Sequence, residues 1–450
     1  MMETTVEHAH QRRRLGRYRL AYELASGGMA TVYMACTDDG PEGFDKVVAI
    51  KKIHPHLASQ RSYVEMFLDE ARLASRIHHP NVCSVIDFGE AHGEYYLVME
   101  YLVGVPLNRL VTTVAKRRDE PPARWTEIVS RLIADAAEGL HAAHELRGTD
   151  GSLLGVVHRD VSPHNLFVGF DGQLRVVDFG IAKAAGKLHQ TATGELKGKF
   201  AYMAPEQIQR GTVDRRADVW ALGVVLWELL TLRRLFRRAN DAETLYAVLE
   251  RPVPAPGELV GEVPRALDAA VLDALRRELS ERTSDARTLG RRLRRAWARR
   301  DVEPVDPAEI GDLLRQLFPG EEERQRSLVE LARQPENAVP RVGRHGPRSD
   351  SFSELTSSRE LPTEVDASLP QRLRRAKRRR RLAVLGVPLL GLLTGLLGGW
   401  LAWSSGADPA PPPIAGGTAP VPPEEMPIPP GEAPPVDATT NAGPVGPRAP

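Results

Sequence analysis

The stretch His158-Arg159-Asp160-Val161-Ser162-Pro163-His164-Asn165, followed by Asp178-Phe179-Gly180, decides the fold of this 450-residue chain. Seven of these residues match a motif with set spacing. A chance match to such a motif would occur on the order of once in a billion starting points. Asn165 and Asp178 carry amide and carboxylate oxygens, the ligands that Mg²⁺ prefers. Asp160, Asn165 and Asp178 are therefore the candidate functional residues of this stretch, with oxygen atoms that could bind a hard cation or accept a proton.

Two segments nearer the amino terminus have the composition of a phosphate-binding cleft. Residues 22–33 include Gly27 and Gly28, and small residues let backbone amides approach a phosphate closely. Val48-Ala49-Ile50-Lys51 is an apolar run, typical of a buried strand, that ends in a lysine. Metal ligands and a fixed cation are what the transfer of a phosphoryl group requires.

Together these segments resemble the eukaryotic-like serine/threonine protein kinases of bacteria, over about residues 15 to 300. The resemblance implies an α+β, bilobal protein kinase fold. A small antiparallel-sheet lobe would cover about residues 15–102, and a mainly helical large lobe about residues 103–300. It also implies an enzyme that uses ATP and Mg²⁺ to phosphorylate hydroxyl groups of protein substrates.

The resemblance gives each polar residue of these segments a role. Asp160 orients the attacking hydroxyl, Lys51 paired with Glu70 holds the α- and β-phosphates, and Asn165 and Asp178 bind the metal. The residues placed around ATP are Leu24, Ala25, Ser26, Gly27, Gly28, Met29, Ala30, Thr31, Val32, Ala49, Lys51, Met99, Glu100 and Leu102. Those assigned to structural support are Arg159, Glu206, Asp218 and Arg282, with Glu206 paired to Arg282.

Glu70 lies on a predicted amphipathic helix over residues 63–77. Its apolar residues at helical spacing are Met66, Phe67, Leu73 and Ile77. An isolated glutamate on such a helix would more often face solvent. Its separation of ten residues from Pro80 is the spacing of the family, and it favours a pairing with Lys51 instead.

Two positions depart from the serine/threonine kinase pattern. The lysine usually found two residues after the catalytic aspartate is Ser162 here, and a threonine farther along is replaced by Lys199. We hypothesise that Lys199 reaches back toward Asp160 and the γ-phosphate, since a point charge tolerates relocation, while Ser162 supplies the missing hydroxyl. The alternative is that Lys199 is exposed and the enzyme is weak.

The segment between Asp178 and Glu206 contains Thr191 and Thr193 in a polar run. A phosphothreonine adds about two negative charges that can order a loop against an arginine. By the resemblance Arg159 would contact such a phosphate, so we predict autophosphorylation at Thr191, Thr193 or both. The alternative is that both are unmodified loop residues.

The rest of the chain reads as extensions of one domain, with residues 1–14 predicted as a disordered amino terminus. Cys36 and Cys83 offer no disulfide framework and are expected to be reduced, packed thiols. The first apolar run belongs to the kinase-like region, so no amino-terminal secretion signal is visible. Residues 301–333 have helical periodicity, and we expect one or two helices appended to the large lobe.

A single transmembrane helix is predicted over residues 382–403, which form a run of twenty-two residues without a charge. Residues 334–381 read as a disordered linker that ends in a basic run, 372–381. Beside an apolar span this run indicates a cytoplasmic kinase domain rather than nucleic-acid binding. Residues 404–450 are proline-rich and are expected to be an extracytoplasmic tail at the cell membrane.

Glycines recur every four residues along this predicted span, at Gly391, Gly395 and Gly399. Such a stripe permits close helix contact, so a homodimer through the membrane is a further expectation.

Three functions remain open at this point. The first is an active, membrane-anchored serine/threonine protein kinase. The second is a nucleotide-binding pseudokinase scaffold. In residues 22–33, which the resemblance identifies as the nucleotide loop, alanines occupy two positions that are glycine in the family, Ala25 and Ala30. Ser162 and Lys199 also favour this alternative. The third is a small-molecule kinase of the same fold, against which the Ala204-Pro205-Glu206 segment stands. The choice between serine/threonine and tyrosine hydroxyls is also open.

Overall fold

The computed structural model describes residues 14–37, 45–117, 121–179, 199–261, 263–298 and 303–334. All of them lie in one unit of the chain, Met1–Ser368. The predicted linker beyond residue 334, the apolar span and the proline-rich tail lie outside the described residues. No helix within the described ranges has both the length and the apolar character needed to cross a bilayer.

The small lobe is built on a six-stranded antiparallel sheet in the order β1-β2-β3-β4-β6-β5. Its strands are β1 (Arg14–Leu15), β2 (Tyr18–Ser26), β3 (Ala30–Thr37), β4 (Val47–Ile53), β5 (Val85–Ala91) and β6 (Glu94–Glu100). The apolar run Val48-Ala49-Ile50 is buried in β4, as its composition predicts. Lys51 is thereby held at the centre of the sheet, opposite Leu97 of β6.

Two helices follow β4, namely α1 (Pro55–Ala58) and α2 (Arg61–Ala74). The buried face of α2 carries Phe67 and Ala71, which pack against Ile53 and Leu97 of the sheet. Glu70 lies on this same buried face, which turns it toward the sheet. The helix predicted over 63–77 thus begins two residues earlier and ends three residues earlier, because residues 76 and 77 continue in tighter i→i−3 hydrogen bonds.

The large lobe is mainly helical and surrounds one long buried helix. Its helices are α3 (Leu107–Ala115), α4 (Trp125–His144), α5 (Pro205–Ile208), α6 (Arg216–Thr231), α7 (Asp241–Glu250), α8 (Gly257–Val260), α9 (Arg265–Ala274) and α10 (Ala286–Ala298). Every residue of α6 from Ala217 to Thr231 is buried, as expected for a helix that is apolar on all sides. Two carboxylates, Asp218 and Glu228, are buried with it and must find partners inside the lobe.

A three-stranded antiparallel sheet packs in the core of the large lobe. Its strands are β7 (Gly104–Pro106), β8 (Leu166–Gly169) and β9 (Leu174–Val176). Residues 158–165, which carry Asp160, run into β8, and the turn that carries Asp178 follows β9, so this small sheet sets the distance between the two motifs. A backbone bond from Val177 N to Asn165 O, 2.9 Å long, joins them directly.

The appended helices are α11 (Pro307–Leu317) and α12 (Glu321–Arg333). Helix α11 packs in the core of the large lobe, where Ile310 and Leu314 are fully buried. Helix α12 contacts the large lobe at its start, where Glu321 pairs with Arg109, and the small lobe at its end, where Ala332 meets Ala21 and Met34. The expectation that both helices are appended to the large lobe therefore omits the contact of α12 with the small lobe.

Candidate active site

The catalytic loop, residues 158–165, is anchored by the buried carboxylate of Asp218 on α6. Asp218 Oδ2 accepts a hydrogen bond from His158 N and Oδ1 accepts one from Arg159 N, each 2.8 Å long. His144 Nε2 lies 2.8 Å from Oδ2. Burial alone would raise the pKa of Asp218, but the bonds from His144 and the backbone lower it below its usual value. The loop is therefore tied to a fixed negative charge.

Arg159 has a φ of 63°, in the left-handed region that non-glycine residues seldom adopt. Its amide is held by Asp218, and its carbonyl accepts a bond from Gln207 Nε2 at 3.2 Å. Strained backbone of this kind persists only where surrounding bonds impose it. These two bonds therefore fix the chain immediately before Asp160.

Asp160, Asn165 and Lys199 lie together at the end of this loop. Asp160 Oδ2 is 3.0 Å from Lys199 Nζ and 3.3 Å from Asn165 Nδ2. Asn165 Nδ2 also donates to the main-chain carbonyl of Asp160 at 2.8 Å. Because its amide nitrogen faces Asp160, the Oδ1 atom of Asn165 is the one that can ligate a cation.

Lys51 lies between two carboxylates at the back of the cleft. Its Nζ is 3.0 Å from Asp178 Oδ1 and 3.4 Å from Glu70 Oε1. Burial alone would lower the pKa of Lys51, but the charges of Asp178 and Glu70 outweigh burial and raise it. Against the opposing effect of burial, Lys51 lowers the pKa of Asp178. The pKa of Glu70 is instead raised, because its burial outweighs the attraction of Lys51.

The turn after β9 is locked by an aromatic contact. Asp178 has a φ of 53°, and the ring of Phe179 packs on that of His158 with centroids 4.7 Å apart. Burial lowers the pKa of His158, and its Nε2 lies 3.1 Å from Val177 O. With Phe179 only 4% exposed beneath the loop, Asp178 is left beside Lys51. Gly180, the last residue of this motif, lies outside the described residues.

The predicted nucleotide loop is the tight connection between β2 and β3. Gly27 N donates to Ala30 O at 2.9 Å, and the hydroxyls of Ser26 and Thr31 are 3.0 Å apart. Leu24, Ala25 and Ser26 lie in β2, Gly27, Gly28 and Met29 form the connection, and Ala30, Thr31 and Val32 lie in β3. The alanine at position 30 therefore occupies the first residue of a strand, where a side chain is tolerated.

His54 also contacts this loop, although no motif in the sequence indicates it. Its backbone N donates to Met29 O at 3.0 Å, and its ring Nε2 lies 2.7 Å from Gly27 O. The ring stacks on that of His56, with centroids 5.6 Å apart. A histidine just beyond a strand carries no sequence signal, because only the folded sheet brings it to the loop.

The residues expected around the adenine lie where the sheet meets the connection between the lobes. Ala49 of β4 pairs with Met99 of β6. Glu100 ends β6, and its backbone N donates to Ser84 O at 3.0 Å while its Oε1 accepts from Ser84 N at 2.7 Å. Leu102 follows in the hinge, which we define as residues 100–103. These bonds fix the start of the hinge backbone.

Two buried ion pairs support residues 199–208, which lead into α5 and include it. Arg282 donates to both oxygens of Glu206, at 2.7 and 3.0 Å. Glu228, which the sequence analysis did not single out, accepts bonds from Tyr202 and Arg234, each 2.8 Å long. Breaking such a pair leaves an uncompensated buried charge, so both pairs hold this segment in place.

The Ser162 hydroxyl does not reach Asp160. Ser162 is 2% exposed, and its hydroxyl has no hydrogen-bond partner among the residues that the structure describes. The next residue, Pro163, is held by α3, since its carbonyl accepts from Asn108 N at 3.0 Å. Of the hypothesised exchange, the structure thus places Lys199 at Asp160 but not the Ser162 hydroxyl. Thr191 and Thr193 lie outside the described residues.

The donor set fits a magnesium-bound triphosphate. Asp178 and Asn165 offer one carboxylate and one amide oxygen from adjacent backbone segments, and Lys51 offers a buried ammonium group between them and the sheet. Hard cations and phosphate oxygens bind to these groups. With Asp160 alongside to accept a proton, the arrangement can carry out phosphoryl transfer to a hydroxyl.

The family model for the protein kinase domain matches residues 18–292. Tyrosine-protein kinase MasK of Myxococcus xanthus is 46% identical over 260 residues, which are 58% of this chain and 40% of that protein. Serine/threonine-protein kinase Pkn1 of Myxococcus xanthus is 36% identical over 274 residues, 60% of this chain and 36% of that protein. For serine/threonine-protein kinase PrkC of Bacillus subtilis, the identity is 31% over 282 residues, 63% of this chain and 41% of that protein.

Each match thus covers less than half the length of the relative. Among solved structures, the kinase domain of Mycobacterium tuberculosis PknI is 23% identical, with a TM-score of 0.47 over 63% of this chain and 96% of that chain. The match to the family model covers more than half of the 450 residues, and this chain therefore belongs to the protein kinase domain family.

Proposed function

We propose that this protein is a serine/threonine protein kinase that uses ATP and Mg²⁺ to phosphorylate other proteins. The observation that carries the proposal is the convergence of two groups in one cleft. Lys51 with Asp178 forms the first group, and Asp160 with Asn165 forms the second. The 2.9 Å backbone bond from Val177 N to Asn165 O joins them.

In this proposal each side chain has one task in the reaction. Lys51 binds phosphate oxygens, and Asp160 accepts the proton of the attacking hydroxyl as the phosphoryl group transfers. Asp178 and Asn165 would hold Mg²⁺, which would supply positive charge to the phosphate oxygens. Since the loop around Asp160 is fixed beforehand by Asp218, little reorganisation is needed during the reaction.

The test is transfer of labelled phosphate from γ-labelled ATP to a protein acceptor such as casein. Wild-type chain should label the acceptor, and the Asp160→Ala variant should not. If neither protein labels the acceptor although nucleotide still binds, the pseudokinase scaffold is the remaining interpretation. If small alcohols are labelled and no polypeptide is, the chain is a small-molecule kinase.

Lys199 is proposed to supply the γ-phosphate with the cation that Ser162 cannot provide. In support, its Nζ lies 3.0 Å from Asp160, and its side chain is 38% exposed, so it can turn toward a phosphate. Lys199→Met should lower kcat by roughly tenfold or more, and Lys199→Arg should retain part of the activity because it keeps the charge. Lys199→Thr removes the bulk of the side chain as well as its charge, so comparing its kcat with that of Lys199→Met separates the effect of charge from that of packing. Near-normal turnover of the Met variant would remove this proposal.

Tyrosine phosphorylation is the second candidate function. The relative that is 46% identical is named a tyrosine-protein kinase, while Pkn1 and PrkC are named serine/threonine-protein kinases. The residues that usually help to distinguish the two classes are the ones changed here, at Ser162 and Lys199. Phosphoamino-acid analysis of the labelled acceptor decides between them.

Regulation by autophosphorylation at Thr191 and Thr193 is part of the proposal. It is supported by the position of Arg159, whose backbone is held at both its amide and its carbonyl beside the cleft. Phosphopeptide mapping of the wild type and of Asp160→Ala should find phosphate on this segment only in the wild type. A fully active Thr191→Ala, Thr193→Ala double variant would contradict a regulatory role.

We also propose that the chain is anchored in the cell membrane, with its kinase domain in the cytoplasm. The support is the uncharged run at 382–403 preceded by the basic run at 372–381. A carboxyl-terminal reporter that reacts only outside the cytoplasm should be active, and one that reacts only inside should be silent. For the proposed homodimer, replacing Gly391, Gly395 and Gly399 with leucine should weaken association in detergent.

A further inference from the structure

Residues 303–334, named here the strap, lie beyond the part of the chain that matches the family model, which ends at residue 292. The strap consists of α11, α12 and the short segments around them. It touches the large lobe, the strand after the hinge and the small lobe in turn. It therefore connects the two lobes a second time, beside the hinge.

The first part of the strap is fixed to the large lobe. Glu309 pairs with Arg124 at 2.8 Å, and Val305 O accepts from Arg131 at 2.9 Å. Gly172 has a φ of 75°, and a side chain there would collide with the backbone of Pro307. Since α11 also places its apolar face in the main core, this end of the strap is rigid.

The start of α12 is hydrogen-bonded to the strand that follows the hinge. The side-chain amide of Gln325 accepts from Gly104 N and donates to Gly104 O, each at 2.9 Å. Gly104 opens β7, directly after the hinge. Glu321 holds this amide in place, because it accepts from Gln325 Nε2 and from Arg324, each at 2.8 Å, and pairs with Arg109 at 3.4 Å.

The end of α12 is fixed to the small lobe. Ala332 is 1% exposed against Met34, and its carbonyl accepts from Arg19 at 3.1 Å and from Cys36 Sγ at 3.1 Å. A cation at the carboxyl end of a helix is favourable. Leu24, at the edge of the nucleotide loop, packs on the same cluster.

We propose that the strap positions the nucleotide site, with Gln325 as the positioning residue that sets the backbone next to the hinge. This rests on the proposed function, since it concerns the binding of ATP in the same cleft. Two lobes joined only by a hinge open and close freely, and a second rigid connection limits that motion. Without the strap, the small lobe and the adenine-binding backbone lose their fixed spacing.

The test uses the full-length chain with Gln325→Leu, which keeps the size of the side chain but removes both bonds to Gly104. We expect the KM for ATP and the dissociation constant for Mg-ADP to rise roughly tenfold, since two buried backbone groups lose their partner. The KM for the protein acceptor and kcat should change less than about twofold. Amide exchange in residues 100–106 should become faster in the absence of nucleotide.

The matched control is Glu330→Ala on the same helix, where Glu330 forms an exposed pair with Arg333. It should leave nucleotide affinity unchanged. Ala332→Glu, a second variant, should detach α12 from the small lobe, speed exchange in β2 and β3 and weaken Mg-ADP binding.

A Gln325→Leu protein that melts earlier but binds nucleotide normally would show a merely structural role and overturn the proposal. Amide exchange and Mg-ADP binding do not require catalysis. They can therefore still be measured if the chain has no kinase activity, so failure of the proposed function and failure of this inference are distinguishable.

Discussion

The two halves of the cleft are held in different ways. On the large-lobe side, the backbone before Asp160 is fixed by Asp218, whose buried carboxylate accepts from the amides of His158 and Arg159, and by Gln207, which donates to the Arg159 carbonyl. On the small-lobe side, the tip of the nucleotide loop is held by His54, through bonds exposed to solvent. The backbone that carries Asp160 is therefore tied to a buried charge, whereas the tip of the predicted nucleotide loop is held by weaker, uncharged bonds.

Magnitudes sharpen this difference. Breaking a buried, hydrogen-bonded charge costs about 3 to 5 kcal/mol, whereas a single ordinary hydrogen bond contributes about 0.5 to 1.5 kcal/mol. Changes in the large-lobe half should therefore remove stability and turnover together. Changes in the small-lobe half should mainly alter nucleotide affinity.

The largest effect is expected at Lys51, which joins the two halves through Asp178. Lys51→Met removes the cation between two carboxylates and should lower kcat/KM for ATP by about a thousandfold or more. The adjacent Lys52 pairs with Glu94 instead, so Lys52→Met is a matched control and should stay within about threefold. Equal losses in both variants would show that the cleft does not depend on this ion pair.

The next largest effect is expected at Asp218. Asp218→Asn loses a charge that accepts two backbone bonds, and it should lower the free energy of unfolding by about 3 kcal/mol in denaturant titrations. Asp214→Asn, at a more exposed carboxylate near the start of the same helix, should cost about 1 kcal/mol. If the Asp218 variant were as stable as wild type, the rigid half of the comparison would be wrong.

A smaller effect, dependent on pH, is expected in the strap. Arg324, Gln325 and Arg109 lower the pKa of Glu321 from 4.5 to about 2, against the opposing effect of burial. Because the folded-state pKa is depressed, its stabilising contribution is present above pH 4.5 and is lost as the pH falls toward about 2. Glu321→Gln should therefore be less stable than wild type at neutral pH. In denaturant titrations, the difference in the free energy of unfolding between wild type and Glu321→Gln should shrink between about pH 4.5 and pH 3. If this difference stays constant over that range, the charge of Glu321 is not its cause.

The smallest effect is expected at His54. His54→Ala removes the ring bond to Gly27 but keeps the backbone bond to Met29, so the KM for ATP should change about threefold with kcat nearly constant. His56→Ala removes the stacked neighbour without touching the loop and serves as the control. A loss of stability as large as that of Asp218→Asn would contradict the difference between the halves.

Motifs with fixed spacing made the large-lobe half predictable from sequence. Asp160, Asn165 and Asp178 are separated by short segments, so local backbone geometry brings them together. The pairing of Lys51 with Glu70 was also predicted, but from the resemblance, because Glu70 lies ten residues before Pro80. The helical pattern alone favoured an exposed glutamate. The boundaries of α2 were less predictable, because its end depends on a change to tighter hydrogen bonds.

The contacts that were missed arise between residues far apart in the chain. Periodicity predicts that α12 has an apolar side, but it does not say which lobe Ala332 will meet. Gln325 is a polar residue on an amphipathic helix, and its bonds to Gly104 span 221 positions. Nothing local indicates that the Ser162 hydroxyl is buried away from Asp160.

The most direct test of the central assignment is intact-mass spectrometry of the purified chain after incubation with Mg-ATP, followed by peptide mapping. Wild type should gain one or more phosphate groups on hydroxyl residues, including Thr191 or Thr193. Asp160→Ala should bind nucleotide and keep its original mass. An unchanged wild-type mass, together with no transfer to any added acceptor, or equal phosphate gain in the Asp160→Ala protein, would contradict phosphoryl transfer by this cleft.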